Sequence, residues 1–298
     1  MNARQQQDDA YQICVRCVMD TSDPEITFDE HGVCSHCHYF DEFVRPQWHP
    51  NEHGRQELER IVDTIRTERA QYEYDCIIGL SGGIDSSYLA YLVRELGLRP
   101  LVVHIDTGWN SELAVQNIEA IVKKLGYDLY THVVDWEEMR ALQLAFFKAG
   151  VANQDTPQDH AIFAGLYRFA VQNKIRYVFS GSNYATESIL PNSWGYSAMD
   201  ARQIKGIYKR HGDGTKLRSF PFVSFFQYHF YYPYVKRMTV VRPLNFLPYN
   251  KELAISTLES ELGWKYYGGK HYESRFTKFF QGYYLPVRFG YDKRRAHM

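Results

Sequence analysis

No stretch of this sequence approaches the ~18 uninterrupted apolar residues that a membrane-crossing helix needs, so no helical span and no membrane partner are expected. The opening residues, Met1-Asn2-Ala3-Arg4-Gln5-Gln6-Gln7-Asp8-Asp9, lack the apolar core of a secretory signal, and a cytoplasmic location is expected. Internal repeats and low-complexity tracts are absent. Cysteine is scarce, five in 298 residues, and four of the five fall in one spaced set. The fifth, Cys76, sits in an apolar run where a buried small hydrophobe is expected. That leaves no spare thiol for nucleophilic or persulfide chemistry.

Formal net charge is also small, at −1, but its distribution is uneven. Residues 1–199 carry 16 Lys+Arg and 28 Asp+Glu, whereas residues 200–298 carry 18 and 7. A cationic third beside an acidic body suits a field that gathers polyanions, such as nucleotide phosphates, a sugar carboxylate or an RNA backbone. The competing reading is a solvated basic face that complements the acidic part. Aromatics are plentiful, with 24 tyrosines, and crowd residues 220–290. Most are expected to pack, and some to stack on a ring.

The most informative segment is Ser81-Gly82-Gly83-Ile84-Asp85-Ser86-Ser87, set between an apolar run (Cys76-Ile77-Ile78-Gly79-Leu80) and a helical one (Tyr88-Leu89-Ala90-Tyr91-Leu92-Val93). This predicts a strand, a tight loop and the first turn of a helix. Two glycines allow close backbone approach to an anion, and the helix start supplies amides and dipole for phosphate. Serine hydroxyls add donors, and Asp85 supplies a carboxylate for Mg²⁺. A plain glycine-containing turn is the alternative. The string has neither the Walker ending nor the dinucleotide glycine pattern.

The four remaining cysteines are spaced Cys14-x2-Cys17 and Cys34-x2-Cys37. Paired CxxC knuckles at this spacing predict a tetrahedral, structural Zn²⁺ site in a zinc ribbon, with residues 24–32 as a short strand and turn. An iron–sulfur cluster and two disulfides are the rival arrangements, and a cytoplasmic chain disfavours the second. His36 and His38, beside the last knuckle, are expected outside the ligand set.

Along the chain, residues 1–12 read as disordered, 1–48 as the zinc-binding module, and 51–70 as a charged amphipathic helix. Strands are predicted at 75–79, 101–105, 129–134, 176–180 and 239–242, and helices at 85–97, 111–125, 135–149, 160–173 and 250–262. Such alternation implies an α/β fold with a doubly wound parallel sheet over 49–262, and ligands at the carboxyl ends of its strands. Residues 188–238 break the pattern as an insertion carrying Arg202, Lys205, Lys209 and Arg210. Residues 263–298 form an aromatic and basic C-terminal segment expected to complete the active site.

The SGGIDSS loop resembles the PP-loop of the ATP pyrophosphatases, which adenylate a carbonyl-type oxygen and let a nucleophile displace AMP. With the opening Cys-Val-Arg-Cys-Val-Met-Asp-Thr-Ser-Asp-Pro, the block from Glu187 to Tyr196 and the tail GGKHYESRFTKFF, the chain resembles the N-acetyl sugar amidotransferases of surface-polysaccharide (O-antigen) and flagellar-glycan pathways over about residues 14–298. That resemblance implies an ATP-dependent ligase of adenine nucleotide alpha hydrolase type. Its substrate would be a nucleotide-activated sugar, and its partner a separate glutaminase supplying ammonia. It leaves room for a homo-oligomer and implies no nucleic acid.

ATP phosphates would sit on the loop from Leu80 through Ser81, Gly82, Gly83, Asp85, Ser86 and Ser87. Asp106 would lie at the adenosine edge and Gly181 in the matching small-residue loop. Mg²⁺ would be held by Asp85 with Glu187. Lys205, Lys270 and Arg275 are candidate cations for the pyrophosphate or the adenylated oxygen, with surface solvation as the alternative. His271 and Glu273 are candidates for moving protons at the attacking nitrogen, with core hydrogen bonding as the alternative. A tRNA-modifying PP-loop enzyme, which thiolates or aminates a base, is the second reading.

Overall fold

The computed structural model describes residues 11–189, 191–269 and 272–297. Ten of the twelve N-terminal residues expected to be disordered, 1–10, lie outside it, as do Lys270 and His271. Helices α1 (Ser35–Tyr39) and α2 (Glu52–Arg69) precede strand β1 (Cys76–Gly79). Alternation then runs α3 (Ile84–Glu95), β2 (Pro100–Asp106), α4 (Glu112–Leu125), β3 (Asp128–Val133), α5 (Trp136–Ala149), α6 (Thr156–Gln172) and β4 (Tyr177–Phe179). After α7 (Tyr184–Glu187) and α8 (Ala201–His211) come β5 (Thr239–Val241) and α9 (Lys251–Leu262), and the tail carries α10 (Arg275–Phe279) and α11 (Leu285–Phe289).

Local chemistry explains these boundaries. Ser111 caps α4 by accepting from the Ala114 amide at 3.1 Å, and Gly126 ends that helix in the left-handed region. Helix α6 begins at Thr156, four residues before the position expected from its apolar period. Proline is tolerated in a first turn, and here Pro157 lies in the first turn of a helix that begins just after Asp155. The expected insertion contains α8, whose N-cap Asp200 accepts from the amides of Arg202 and Gln203 at 2.8 and 3.1 Å. Only Ala201 and Ile204 of this helix are buried, too narrow a stripe to stand out among its basic residues.

The five strands are parallel in the order β3-β2-β1-β4-β5. Ile77 pairs with Leu101 on one side and Val178 on the other, and central strands covered on both faces read as continuous apolar runs. Cys76 and Ile78 face a core built with α2, α3, α4 and α9, whereas Ile77 faces one built with α5, α6 and α8. The chain order turns back between β1 and β4. In an open sheet of this kind a crevice opens at that switch point, above the carboxyl ends of the two strands.

A third core joins the cysteine module to the tail: Cys14, Met19, Cys34 and Cys37 pack with Trp194, Phe276, Phe280, Leu285 and Tyr291. Two polar ties reinforce it, Arg295 to Asp20 and the Ser193 hydroxyl to Asp23 at 2.7 Å. In place of the short strand expected at 24–32, the described residues there form turns. Asp23 and Asp29 side chains take the amides of Glu25 (3.1 Å), His31 (2.9 Å) and Val33 (2.8 Å), competing with ladder bonds. Only isolated bridges, Ile13 with Asp20 and Phe28 with Cys34, remain.

Candidate functional site

Strand β1 delivers the chain to the switch point, and the glycine pair turns it into α3. Gly82 has φ +80°, and a Cβ there would fall 2.5 Å from the Ala114 carbonyl oxygen, so the loop presses against the start of α4. Its own carbonyl accepts from Trp264 Nε1 at 2.9 Å. Gly82→Ala is expected to lose more than about 1 kcal/mol of stability. Gly126→Ala is the control: it has φ +67° but meets nothing within 4 Å, and so carries the backbone strain without the collision. Equal denaturation midpoints for the two variants would refute the close approach.

Within the loop the Ser81 and Ser86 hydroxyls lie 3.0 Å apart, and the Gly83 amide donates to Ser81 Oγ at 3.2 Å. Both serines line a cavity of about 760 Å³ above the carboxyl ends of the strands. Leu80, Gly83, Asp85 and Gly181 line it too. Ser87 does not: it is fully buried, and its hydroxyl has no hydrogen-bond partner among the described residues. A Cβ on Gly181 would sit 3.1 Å from the Asp85 carbonyl, which shows how closely the loop after β4 abuts the start of α3.

Asp85, Glu187 and Glu273 are three of the five carboxylates that line this cavity among the described residues. Tyr249 donates to Asp85 Oδ1 at 2.5 Å. Burial first, then Asp85 and Glu187, push its phenol well above the usual tyrosine range, so it stays a donor. Tyr267 accepts from the Ile84 amide at 3.0 Å. Its phenol is likewise raised, by burial and then by Glu273. A Cβ on Gly83 would lie 2.7 Å from Glu273 Oε1, so the tail carboxylate stands directly over the loop. The tail is pinned there by the Ser111 amide on the Glu273 carbonyl (2.8 Å) and by the Arg275 amide on the Trp109 carbonyl (2.8 Å).

Three of the other expected residues are placed elsewhere. Asp106 shapes the loop after β2, accepting from the Gly108 amide (2.8 Å) and Asn110 Nδ2 (2.9 Å), and does not line the cavity. Lys205 is exposed on α8, its ammonium 4.6 Å from the centre of the Phe222 ring. Arg275 pairs with Glu112 at 3.4 Å on the surface. Among the described residues, the Lys and Arg side chains that line the cavity are Arg242, Lys251 and Lys293. Sequence reasoning missed these, along with Tyr249, Tyr267, Asp155 and Asp159. The paired Asp155 and Asp159 at a helix start were the one visible signal.

The four cysteine sulfurs lie within 4.8 Å of one another, Cys14 to Cys37 at 3.9 Å and Cys17 to Cys34 at 3.6 Å. Disulfides are ruled out by these separations, because a bond needs about 2.05 Å. A tetrahedron with Zn–S of about 2.3 Å requires S···S of about 3.8 Å, which the set matches. Amides of Arg16 (3.4 Å) and Cys34 (3.3 Å) point at Cys14 Sγ. Cys76 is fully buried, and burial pushes its thiol up.

Residues 57–218, more than half of the chain, match the sequence family described as NAD synthase. Residues 273–298 match the family "LPS biosynthesis protein WbpG-like, C-terminal domain". A curated relative, tRNA(Ile)-lysidine synthase of Chlamydia pneumoniae, is 36% identical over 64 residues, 21% of this chain and 20% of that protein's length. The chain thus spans about a fifth of the curated relative it matches. Among solved structures, NMN synthetase from Francisella tularensis is 17% identical with a TM-score of 0.39, covering 72% of this chain and 71% of that one. The NH3-dependent NAD synthetase from Campylobacter jejuni subsp. jejuni is also 17% identical, with a TM-score of 0.35 over 53% of this chain and 72% of that one.

Proposed function

Because the chain belongs to the NAD synthase family, we propose that it is an ATP-dependent amidotransferase of surface-glycan synthesis. It would convert an acetamido group of a nucleotide-activated sugar into an acetamidino group, releasing AMP and pyrophosphate. One observation carries this reading. Glu273, from the segment that matches the WbpG-like lipopolysaccharide-biosynthesis domain, stands over the phosphate loop in the same cavity as Asp85.

An amide is a poor electrophile, and adenylation removes the difficulty. The acetamido oxygen attacks the α-phosphorus, the bond to the β,γ-phosphates breaks, and loss of the amide proton leaves an O-adenylated imidate. Ammonia adds to the imidate carbon, the C–O bond breaks with AMP leaving, and the amidine remains. Ser81 and Ser86 would bind the departing pyrophosphate, with Gly82 and Gly83 permitting close approach. Asp85 and Glu187 would hold Mg²⁺, which neutralises charge on that leaving group. Glu273 would take a proton from the attacking nitrogen. Arg242 and Lys251 would add fixed positive charge at the cavity wall.

Ammonia must arrive unprotonated. Four of the five cysteines share one cluster and the fifth is buried, which supports a reading in which no thiol of this chain serves as a glutaminase nucleophile. A separate glutaminase subunit fills that role in this reading. The cluster itself would hold Zn²⁺ in a closed, structural site.

A mass-spectrometric turnover assay tests the proposal: protein, Mg-ATP, ammonium at alkaline pH, and a panel of UDP- and CMP-linked N-acetylated sugars. The expected result is AMP, pyrophosphate and one sugar in which oxygen has been replaced by NH. AMP with no sugar product would favour the second reading, a tRNA-modifying enzyme. The local likeness to tRNA(Ile)-lysidine synthase and the basic residues 200–298 lend that reading support. It predicts tRNA binding that weakens steeply with salt.

A further inference from the structure

The cavity has a second polar cluster that the chemistry above does not use. Asp155 precedes the first residue of α6 without a side-chain capping hydrogen bond, and Asp159 follows one turn later on the same face. Lys293, from the tail, reaches Asp155 Oδ2 at 3.5 Å. All three line the cavity. The lysine is held in place by its neighbours: Tyr291 stacks on Trp194 with ring centres 4.4 Å apart, and Arg295 pairs with Asp20. Gln281 lines the same cavity, is 4% exposed, and makes no side-chain hydrogen bond to the described residues. At the cavity wall this amide can both donate to and accept from a ligand.

We propose that Asp155, Asp159, Gln281 and Lys293 form the subsite that holds the uncharged, hydroxyl- and amide-bearing part of the acceptor sugar. This rests on the sugar reading given above and adds which residues select the acceptor. Burial, and then the Asp155 charge, push the Asp159 carboxyl up to about 8, against the pull of Lys293. Among the described residues, those two are the charged groups that act on it. At neutral pH the Asp159 carboxyl therefore keeps its proton. Lys293 and Asp159 donate, Asp155 accepts, and Gln281 does both. That inventory suits hydroxyls and an amide, while Asp155 repels a second phosphate.

The test is calorimetric binding of UDP-N-acetylglucosamine to the full chain saturated with a non-hydrolysable ATP analogue, beside turnover of the panel sugars. Asp159→Ala is expected to weaken sugar binding at least about tenfold and leave binding of the analogue unchanged. Asp159→Asn keeps a donor without an ionisable group, and so guards against a variant that fails to fold. Wild-type sugar affinity should fall as pH rises through about 8. The Asn variant should show no such limb, and Asp155→Asn should move the limb to lower pH. A packing role would produce neither shift. If the wild type amidinates a panel sugar but Asp159→Ala binds UDP-N-acetylglucosamine as the wild type does, or neither binds it, the subsite is overturned and the function stands. If no panel sugar is amidinated, the function beneath it falls as well.

Discussion

Replacing Asp85 by asparagine is expected to cut ATP-dependent pyrophosphate release by about 10²–10³-fold while the protein melts close to the wild-type temperature. The side chain sits in the first turn of α3, beside the loop serines. Asparagine keeps an oxygen to accept from Tyr249, whose 2.5 Å hydrogen bond would otherwise be lost. Alanine would leave that buried phenol without its acceptor, at about 1–3 kcal/mol, and would remove a helix-start carboxylate worth about 0.3–1 kcal/mol. A low rate in the alanine variant therefore mixes folding with chemistry, and asparagine separates them. It keeps the side-chain volume and an acceptor for Tyr249 while removing the negative charge that would hold Mg²⁺ against the pyrophosphate, at the cost of the small helix-start term alone. Pyrophosphate release measured at saturating ATP decides the matter, and an unchanged rate would remove Asp85 from the metal site.

The loop around Asp85 was legible because it is local. An apolar run, a glycine pair and a helix start follow one another without a break, and the structure builds a strand, turn and helix from them. The α/β alternation was legible for the same reason, since buried parallel strands such as 101–105, interrupted only by His104, read as apolar runs and Gly126 marks a helix end. The residues that complete the site were not. Tyr249 meets Asp85 across 164 positions, and Tyr267 meets Ile84 across 183, separations that leave no periodic trace in the sequence. Nor does spacing say which loop serines turn outward. Ser86 faces the cavity while Ser87, one position on and about 100° around the helix, points into the core. Basic residues misled in the opposite sense. Lys205 and Arg275 matched the expected chemistry but lie on the surface, whereas Lys293 reaches the cavity because the tail folds back over it.

That fold-back ties the tail to the cysteine cluster, and loss of metal is accordingly expected to disorder both ends of the chain together. Among its described residues the cysteine module has isolated bridges, turns and the short α1 rather than a sheet, so its order leans on the core it shares with the tail. Structural zinc is worth about 10–16 kcal/mol in small peptides that fold only with the metal. Part of that should appear here as a loss of several kcal/mol on chelation or in Cys34→Ser. The fully buried Cys34 packs in one cluster with Trp194, Phe276, Phe280, Leu285 and Tyr291, and the ties from Asp20 to Arg295 and from Asp23 to Ser193 cross the same interface. Amide exchange should therefore speed up in residues 13–44 and 276–295 on chelation and stay slow in β1, β2 and β4, whose cores do not include the module. Native mass spectrometry should find one zinc per chain before chelation and none after. Turnover should fall with the tail, because Glu273 and Lys293 are carried on it. Tail exchange that does not respond to chelation would show that the cluster orders only its own knuckles. The cavity would then have to be closed by the Ser111 and Trp109 backbone contacts alone.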